Sequence, residues 1–476
     1  MMKKTRKTKI IATLGPSCSS PKTIEEMMVS GVDVFRINFS HANHSEIEKI
    51  ISTIRFLNKK NNIYTSILAD LQGPKLRIGN VEEGVNVVKD EILKFCSEKK
   101  FIGNNKRVYV KYKKFAKDVK IGEKLLIDDG KLIFEILETD NICNVKARVI
   151  QGGPLYSKKG INLPNTKISL PALTEKDHED AIFSINQNVD WIALSFVRNG
   201  SDLNQLKKII ETKSNHKIPV ISKIEKPEAL DNIDEIISNS DGIMVARGDL
   251  GVEVSAAKVP LIQKQLVNKA KKSRIPVIIA TQMMEGMIKS LTPTRAEVND
   301  VANSVMDGAD AVMLSGETSV GKYPVKVVAA MSSILKTVED SPLIKVPHSP
   351  PSIRSKRYIT KSICYHAANM ANEIDATAIC TLTNSGYTAF QISAWRPNAN
   401  ILVFTSNKLI LTQLNLLWGV KAFYYDKFES TDKTVEQVNN MALKNNFVEK
   451  GDMLINLAAM PVKKKGMVNT LRISMI

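Results

Sequence analysis

Eight short apolar runs recur along the chain, and each ends in a cluster of charged or hydroxyl residues. They are KIIATLGPS (9–17), VDVFRINFS (32–40), TSILADLQG (65–73), VDWIALSFVR (189–198), IPVISKIEK (218–226), SDGIMVARGD (240–249), IPVIIATQM (275–283) and ADAVMLSGE (309–317). Runs this short, rich in β-branched residues and separated mostly by helix-like segments, predict buried parallel strands in repeated βα units. Eight of them predict a closed (β/α)₈ TIM barrel, whose chemistry gathers where the strands end.

The spacing breaks once. Between the third and fourth runs lies a stretch far too long for a loop in a compact barrel. Its segments VNVVKDEILKF, KLLIDDGKLIFEILE and NVKARVIQGG alternate apolar and polar positions between Gly and Asp pairs. They predict an inserted small β-barrel lid over 74–170. A helix from about Val325 to Glu339 leads into the Pro- and Ser-rich linker PLIKVPHSPPSIR, after which ATAICTLT, NILVFTS, VKAFYYD, DMLINLA and NTLRISM predict a doubly wound α/β domain. The expected division is 1–73 and 171–343 for the catalytic barrel, 74–170 for the lid, and 344–476 for a C-terminal α/β regulatory domain.

At 476 residues the chain exceeds a single hydrophobic core, and its 43% hydrophobic content is that of a globular protein. Cys18, Cys96, Cys143, Cys364 and Cys380 lack metal or disulfide-framework spacing and fit a reducing compartment. The basic N-terminus precedes an apolar stretch too short for a signal core, and no stretch matches a membrane span, so a cytoplasmic protein without a membrane partner is expected. The formal charge of +18 is spread along the chain without an aromatic-basic stripe. It is read as attraction for anionic small molecules, with no nucleic acid partner.

Candidate chemistry sits at the ends of the runs. Arg36, Asn38 and Ser40 are spaced by two and share one face of the second strand. The fifth run carries Lys223 and Glu225 among Ile221 and Ile224, charges that are costly to bury unless they pair or bind something. The sixth delivers Arg247, Gly248 and Asp249. Glu225 and Asp249 together supply the hard oxygen ligands that Mg²⁺ or Mn²⁺ prefers, although a salt bridge from Lys223 to Asp249 explains the same charges. Gly248 and Gly251 let backbone amides approach a carboxylate, and Thr281 ends the seventh strand with a hydroxyl. Metal, cations and an anion pocket on one rim suit phosphoryl transfer from a small acid.

In order along the chain, ATLGPSCSS, FRINFSH, ADLQGPKLRIG, KKGINLP, LSFVR, ISKIEKPEAL, GIMVARGDLGVE, ATQMMEGM, PTRAEVNDVANSVMDGADAVMLSGET and GKYP resemble the pyruvate kinase family across essentially the whole length. The resemblance implies transfer of the phosphoryl group of phosphoenolpyruvate to ADP, giving pyruvate and ATP. It implies that Arg36, Arg77 and Lys223 hold the phosphoryl group, with Lys223 stabilising the transition state. Glu225 and Asp249 would hold Mg²⁺, the Gly248 and Asp249 amides and Thr281 would bind the carboxylate, and Thr281 with water would help protonate the enolate. Thr13, Pro16, Asn38, His41, Arg77 and Lys159 would border the nucleotide, and Thr383, Asn384, Ser385, Gly386 and Thr388 a sugar-phosphate or nucleotide effector. A homotetramer is expected.

Two departures stand out. Better-known members bind K⁺ through groups matching Asn38, Ser40, Asp70 and the carbonyl of Leu71, and carry Glu where this chain has Lys75. K⁺ is therefore expected not to be required, the Lys75 ammonium taking the ion's place. At Ser319 and Val320 many relatives have a lysine near the nucleotide phosphates, for which Lys322 is the candidate substitute; Lys463, Lys464 and Lys465 are candidate charges for the effector. The competing enzyme reading is a Mg²⁺-dependent barrel lyase acting on pyruvate-like acids, which needs neither the lid nor Arg36 and Arg77. A catalytically silent regulatory protein would tolerate loss of Lys223 and Glu225, yet both are present.

Overall fold

The computed structural model describes residues 6–40, 43–164, 166–341, 350–352, 355–427, 429–460 and 466–476. All eight apolar runs form strands: Lys9–Thr13, Val34–Asn38, Ser66–Asp70, Trp191–Leu194, Val220–Ile224, Gly242–Ala246, Val277–Ala280 and Ala311–Leu314. They close in sequence order, every neighbouring pair parallel, with the first strand also paired to the eighth.

Side-chain parity decides what the barrel holds. Ile11, Val34, Leu68, Trp191, Ile221, Met244 and Ile278 form the inner cluster, whereas Ile10, Phe35, Ile67 and Ile224 pack against the surrounding helices. A strand alternates faces with period two, so Thr13, Arg36, Asp70 and Lys223 follow Ile11, Val34, Leu68 and Ile221 inward, one step nearer the rim. Ile221 thus shares the face of Lys223, and only Ile224 opposes it.

The lid strands run Asn86–Val87, Ile92–Cys96, Arg107–Tyr109, Lys124–Ile127, Leu132–Thr139, Asn144–Gln151, Gly153–Pro154 and Ile161–Asn162. Six of them form one sheet, mostly antiparallel but with Ile92–Cys96 and Arg107–Tyr109 parallel. Arg77 bridges to Gly160 and Ile78 to Val110, so this short segment joins both edges of the sheet and leaves neither bare.

The C-terminal sheet contains Ala378–Leu382, Asn400–Thr405, Val420–Tyr424, Met453–Ala458 and Thr470–Met475 in spatial order 3-2-1-4-5. Its last strand is antiparallel, which the run of residues alone did not indicate. This domain stoppers the end of the barrel away from the rim: Leu416 joins the inner cluster with Phe390 against it, and Trp191 Nε1 donates to the Gln413 carbonyl at 3.1 Å.

Candidate active site

Asp70 is the hub of the rim. It ends the third strand, buried, where its carboxylate takes Arg36 Nε at 2.6 Å on one oxygen and Lys223 Nζ at 3.2 Å on the other. Burial alone would raise its pKa; the Lys223 ammonium and the Arg36 guanidinium more than reverse this and hold it below the usual carboxylate range. Lys223 also reaches Glu225 Oε1 at 3.0 Å and donates to Ser195 Oγ at 2.7 Å. Burial works against its charge, but Asp70 and Glu225 outweigh burial and raise its pKa, so it is a fixed cation at neutral pH.

Glu225 is 1% exposed, and its second oxygen accepts the Phe196 amide at 2.7 Å. Burial pushes its carboxyl up, and Asp249 adds to the push against Lys223. Two carboxylates side by side at the rim fit a divalent cation: hard oxygens, with Glu225 fixed by Lys223 and an amide. Among the described residues no group of three His, Cys, Asp or Glu side chains could hold a metal, so water or substrate oxygens would complete its shell.

Beside Asp249 the chain turns sharply. Thr281 and Gln282 have φ of 69° and 54°, left-handed values that cost a β-branched residue most. The turn is clamped by Arg247, which donates to the Thr281 carbonyl at 2.8 Å and binds both oxygens of Asp300 at 2.7 Å. Thr281 Oγ1 is thereby set to accept the Gly248 amide at 2.7 Å. The Gly248 amide, held by this hydroxyl, and the Thr281 hydroxyl, which donates to the Ala280 carbonyl at 2.6 Å, are the two donors an arriving carboxylate would divert.

The other expected residues divide. Thr13 Oγ1 is committed within the rim, accepting from Arg36 at 3.0 Å and donating to the Leu314 carbonyl at 2.9 Å. Its hydroxyl orients Arg36. Pro16 is exposed, and Asn38 accepts the Ser40 amide at 3.1 Å. Arg77 is not joined to the cluster; it donates to the lid carbonyl of Lys158 at 3.1 Å. Lys159, also in the lid, pairs with Asp128 at 2.9 Å. Lys75 pairs with Asp249 at 3.5 Å, and it has no bond to Asn38, Ser40, Asp70 or Leu71 among the described residues. The reason is reach: Lys75 lies on the far side of the Gly73–Pro74 turn, where the barrel passes into the lid, and its stem lies over Gly160. Lys322 is exposed. His41, Lys463, Lys464 and Lys465 lie outside the described residues.

In the C-terminal loop Thr383 Oγ1 accepts the Gly386 amide at 3.0 Å, while Thr388 is buried with its hydroxyl on Thr381 at 3.1 Å. Thr388 therefore supports the loop, and Asn384 and Ser385 are its exposed groups. Two features of the rim carried no separate signal in the sequence. Ser195 sits in the apolar LSFVR run, yet its hydroxyl links Lys223 to the Leu71 carbonyl at 2.7 Å. Glu253 joins Lys226 at 2.7 Å and the lid's Asn162 at 2.8 Å, tying barrel to lid beside the rim.

Comparison with known proteins gives the same picture over the whole length. The family model "Pyruvate kinase, barrel domain" matches residues 5–328, and "Pyruvate kinase, alpha/beta domain" matches 361–474. The chain belongs to the pyruvate kinase family. It is 41% identical to the pyruvate kinase of Corynebacterium glutamicum over 99% of this chain and 98% of that one. With the pyruvate kinase of Geobacillus stearothermophilus it shares 39% over 99% of this chain and 80% of the other. The crystal structure of a pyruvate kinase from Cryptosporidium parvum superposes with a TM-score of 0.90 at 34% identity, covering 99% of this chain and 96% of that one. The reaction of the chain is that of a pyruvate kinase: the phosphoryl group of phosphoenolpyruvate passes to ADP in glycolysis.

Proposed function

We propose that the rim performs this transfer with a division of labour among its own residues. Arg36 and Lys223 hold the phosphoryl group in transit, and Lys223 stabilises the charge that spreads over its oxygens at the transition state. The observation that carries this reading is the fixed ammonium of Lys223, held at 3.2 Å from Asp70 and 3.0 Å from Glu225 at the open end of the barrel. Glu225 and Asp249 hold Mg²⁺ or Mn²⁺. A divalent cation there neutralises charge on substrate oxygens. The Gly248 and Asp249 amides and Thr281 receive the carboxylate, and Thr281, through water, delivers a proton to the methylene carbon of the enolate left when the phosphoryl group departs.

Arg77 and Lys159 belong to the lid, so lid closure would carry them to the phosphoryl group and the nucleotide, with Thr13, Pro16, Asn38 and His41 on the barrel side. Lys75, beside Asp249, gives the rim a tethered cation, which supports activity without K⁺. The loop at Thr383–Thr388 takes a sugar-phosphate or nucleotide effector, and the enzyme works in the cytoplasm as a homotetramer. No helix of the described residues is long and apolar enough to cross a membrane.

A lactate dehydrogenase-coupled assay with phosphoenolpyruvate and ADP tests the reaction; a barrel lyase would give no ADP-dependent pyruvate. Equal rates in K⁺ and tetramethylammonium salts are expected, and a strong K⁺ requirement would remove Lys75 from its role. Glu225→Ala should shift the Mg²⁺ activation midpoint at least about tenfold, the effect of losing one of the two proposed carboxylate ligands. An unchanged metal titration would count against Glu225 as a ligand.

A further inference from the structure

Where the barrel meets the C-terminal domain, the structure forms a partly open cavity of about 300 Å³, remote from the rim. The barrel contributes Asn268, Lys271, Lys272 and Arg274, from the last turns and cap of the helix Val259–Ser273; the C-terminal domain contributes Trp395, with Pro350 and Pro351 on the outside. No carboxylate lines it among the described residues. Its three cations have no hydrogen bond or ion pair through their side chains there; Arg274 only stacks on Trp395, 4.5 Å from the ring centroid. Trp395 is buried, and its Nε1 has no hydrogen-bond partner among the described residues.

Arg198 and Arg247, partly buried elsewhere in the protein, each have a carboxylate partner, Asp202 and Asp300. Here the nearest carboxylates are spoken for. Asp310 holds Arg396 at 3.0 Å, and Asp307 holds Lys264 and Gln263. Burial, reinforced by Arg396, lowers the Lys271 pKa to about 8 and outweighs the opposing pull of Asp310 and Asp307. The helix C-terminus answers part of this charge, about half an elementary unit. The Arg274 amide already bonds the carbonyls of Ala270 and Lys271, so two of the end groups are engaged.

We propose that this cavity binds a small phosphorylated anion, held by Lys271, Lys272 and Arg274 between the two domains and distinct from the Thr383–Thr388 loop. The volume admits a ligand of metabolite size, a dianion matches the surplus charge, and an arginine fork beside two lysines suits phosphate oxygens. The helix Tyr387–Ala394 begins at the effector loop and ends at the wall of this cavity, so the two places share one rigid element.

The test uses the full-length protein titrated by calorimetry and tryptophan fluorescence with inorganic phosphate, AMP and glucose 6-phosphate, at constant ionic strength set with chloride. Trp395→Phe assigns the optical signal. Saturable binding of at least one probe is expected, weakened about ten- to a hundredfold by Lys271→Met or Arg274→Met, the cost of one charge-assisted contact. It should survive Ser385→Ala. Which probe binds best separates free phosphate from a nucleotide or sugar source. Should Arg274→Met fail to fold, Lys272→Met carries the test, because Lys272 is exposed. Absence of saturable binding by all three probes, or binding indifferent to Lys271, Lys272 and Arg274, would overturn the proposal.

Discussion

At the rim, Lys223 has two carboxylates within 3.2 Å and its charge is reinforced; at the opposite end of the same barrel Lys9, fully buried, has Asp33 at 3.8 Å and the Val420 carbonyl at 3.0 Å. Burial wins there and lowers the Lys9 pKa to about 7. Both clusters are built from lysine, arginine and carboxylate side chains at the ends of barrel strands, the floor adding Lys421 from the C-terminal sheet. The balance differs. The rim sets two cations, Arg36 and Lys223, against Asp70 and Glu225, whereas the floor sets Arg6, Lys9 and Lys421 chiefly against Asp33, with Glu339 occupied by the amides of Lys7 and Thr8. A paired cation at an opening is ready to meet an anionic substrate, and a surplus of cations under a capping domain is a strain on the domain junction.

The sharpest way to break the comparison is at the rim. Lys223→Met should lower kcat by about a thousandfold or more, since preorganised charge at the reacting group is commonly the largest single contribution to catalysis. Phosphoenolpyruvate binding should remain measurable by fluorescence or calorimetry, because the charge matters most during transfer. Near-normal turnover would remove Lys223 from the mechanism.

Asp33→Ala makes the opposite kind of break. It leaves Arg6, Lys9 and Lys421 buried without their shared carboxylate and removes the acceptor of the Ile10 amide. Unfolding free energy in urea should fall by about 3–5 kcal/mol, the cost of stripping one partner from a buried ion cluster. Turnover per folded molecule should stay within about twofold, since no rim residue contacts Asp33 among the described residues; a large drop would show that floor and rim are energetically one unit.

The rim was more legible in the sequence than the floor, for a physical reason. Period two puts Arg36, Asn38 and Ser40 on one face of their strand and Phe35, Ile37 and Phe39 on the other. The eight barrel strands follow from the short β-branched runs, and the common face of Arg36, Asn38 and Ser40 from period two. Asp70 as the common partner, Ser195 beneath Lys223, and Lys75 turned to Asp249 do not follow, because each depends on which strand ends lie side by side. The floor is further out of reach: Lys9 meets Asn415 and Val420 across more than four hundred residues of chain, and no local period records such a contact. The unpaired cations at 271–274 are hidden for the same reason, since a basic last helical turn reads as ordinary complement to the helix dipole.

The smallest effect isolates the floor's strain directly. The folded-state pKa of Lys9, about 7, lies below its ordinary 10.5, so the penalty for burying its charge is fully present below pH 7 and fades as pH rises toward 10.5. In that window the unfolded chain holds a proton the folded chain has lost, and stability gains up to about 1.4 kcal/mol per pH unit from this one group. Lys9→Met removes the titration. Wild-type stability minus variant stability, from urea unfolding at pH 7, 8 and 9, should therefore grow with pH. Lys421, whose pKa burial also lowers, contributes a slope to both proteins. A difference that stays flat across these pH values would mean that Lys9 keeps its proton in the fold, and that floor and rim differ in geometry but not in charge.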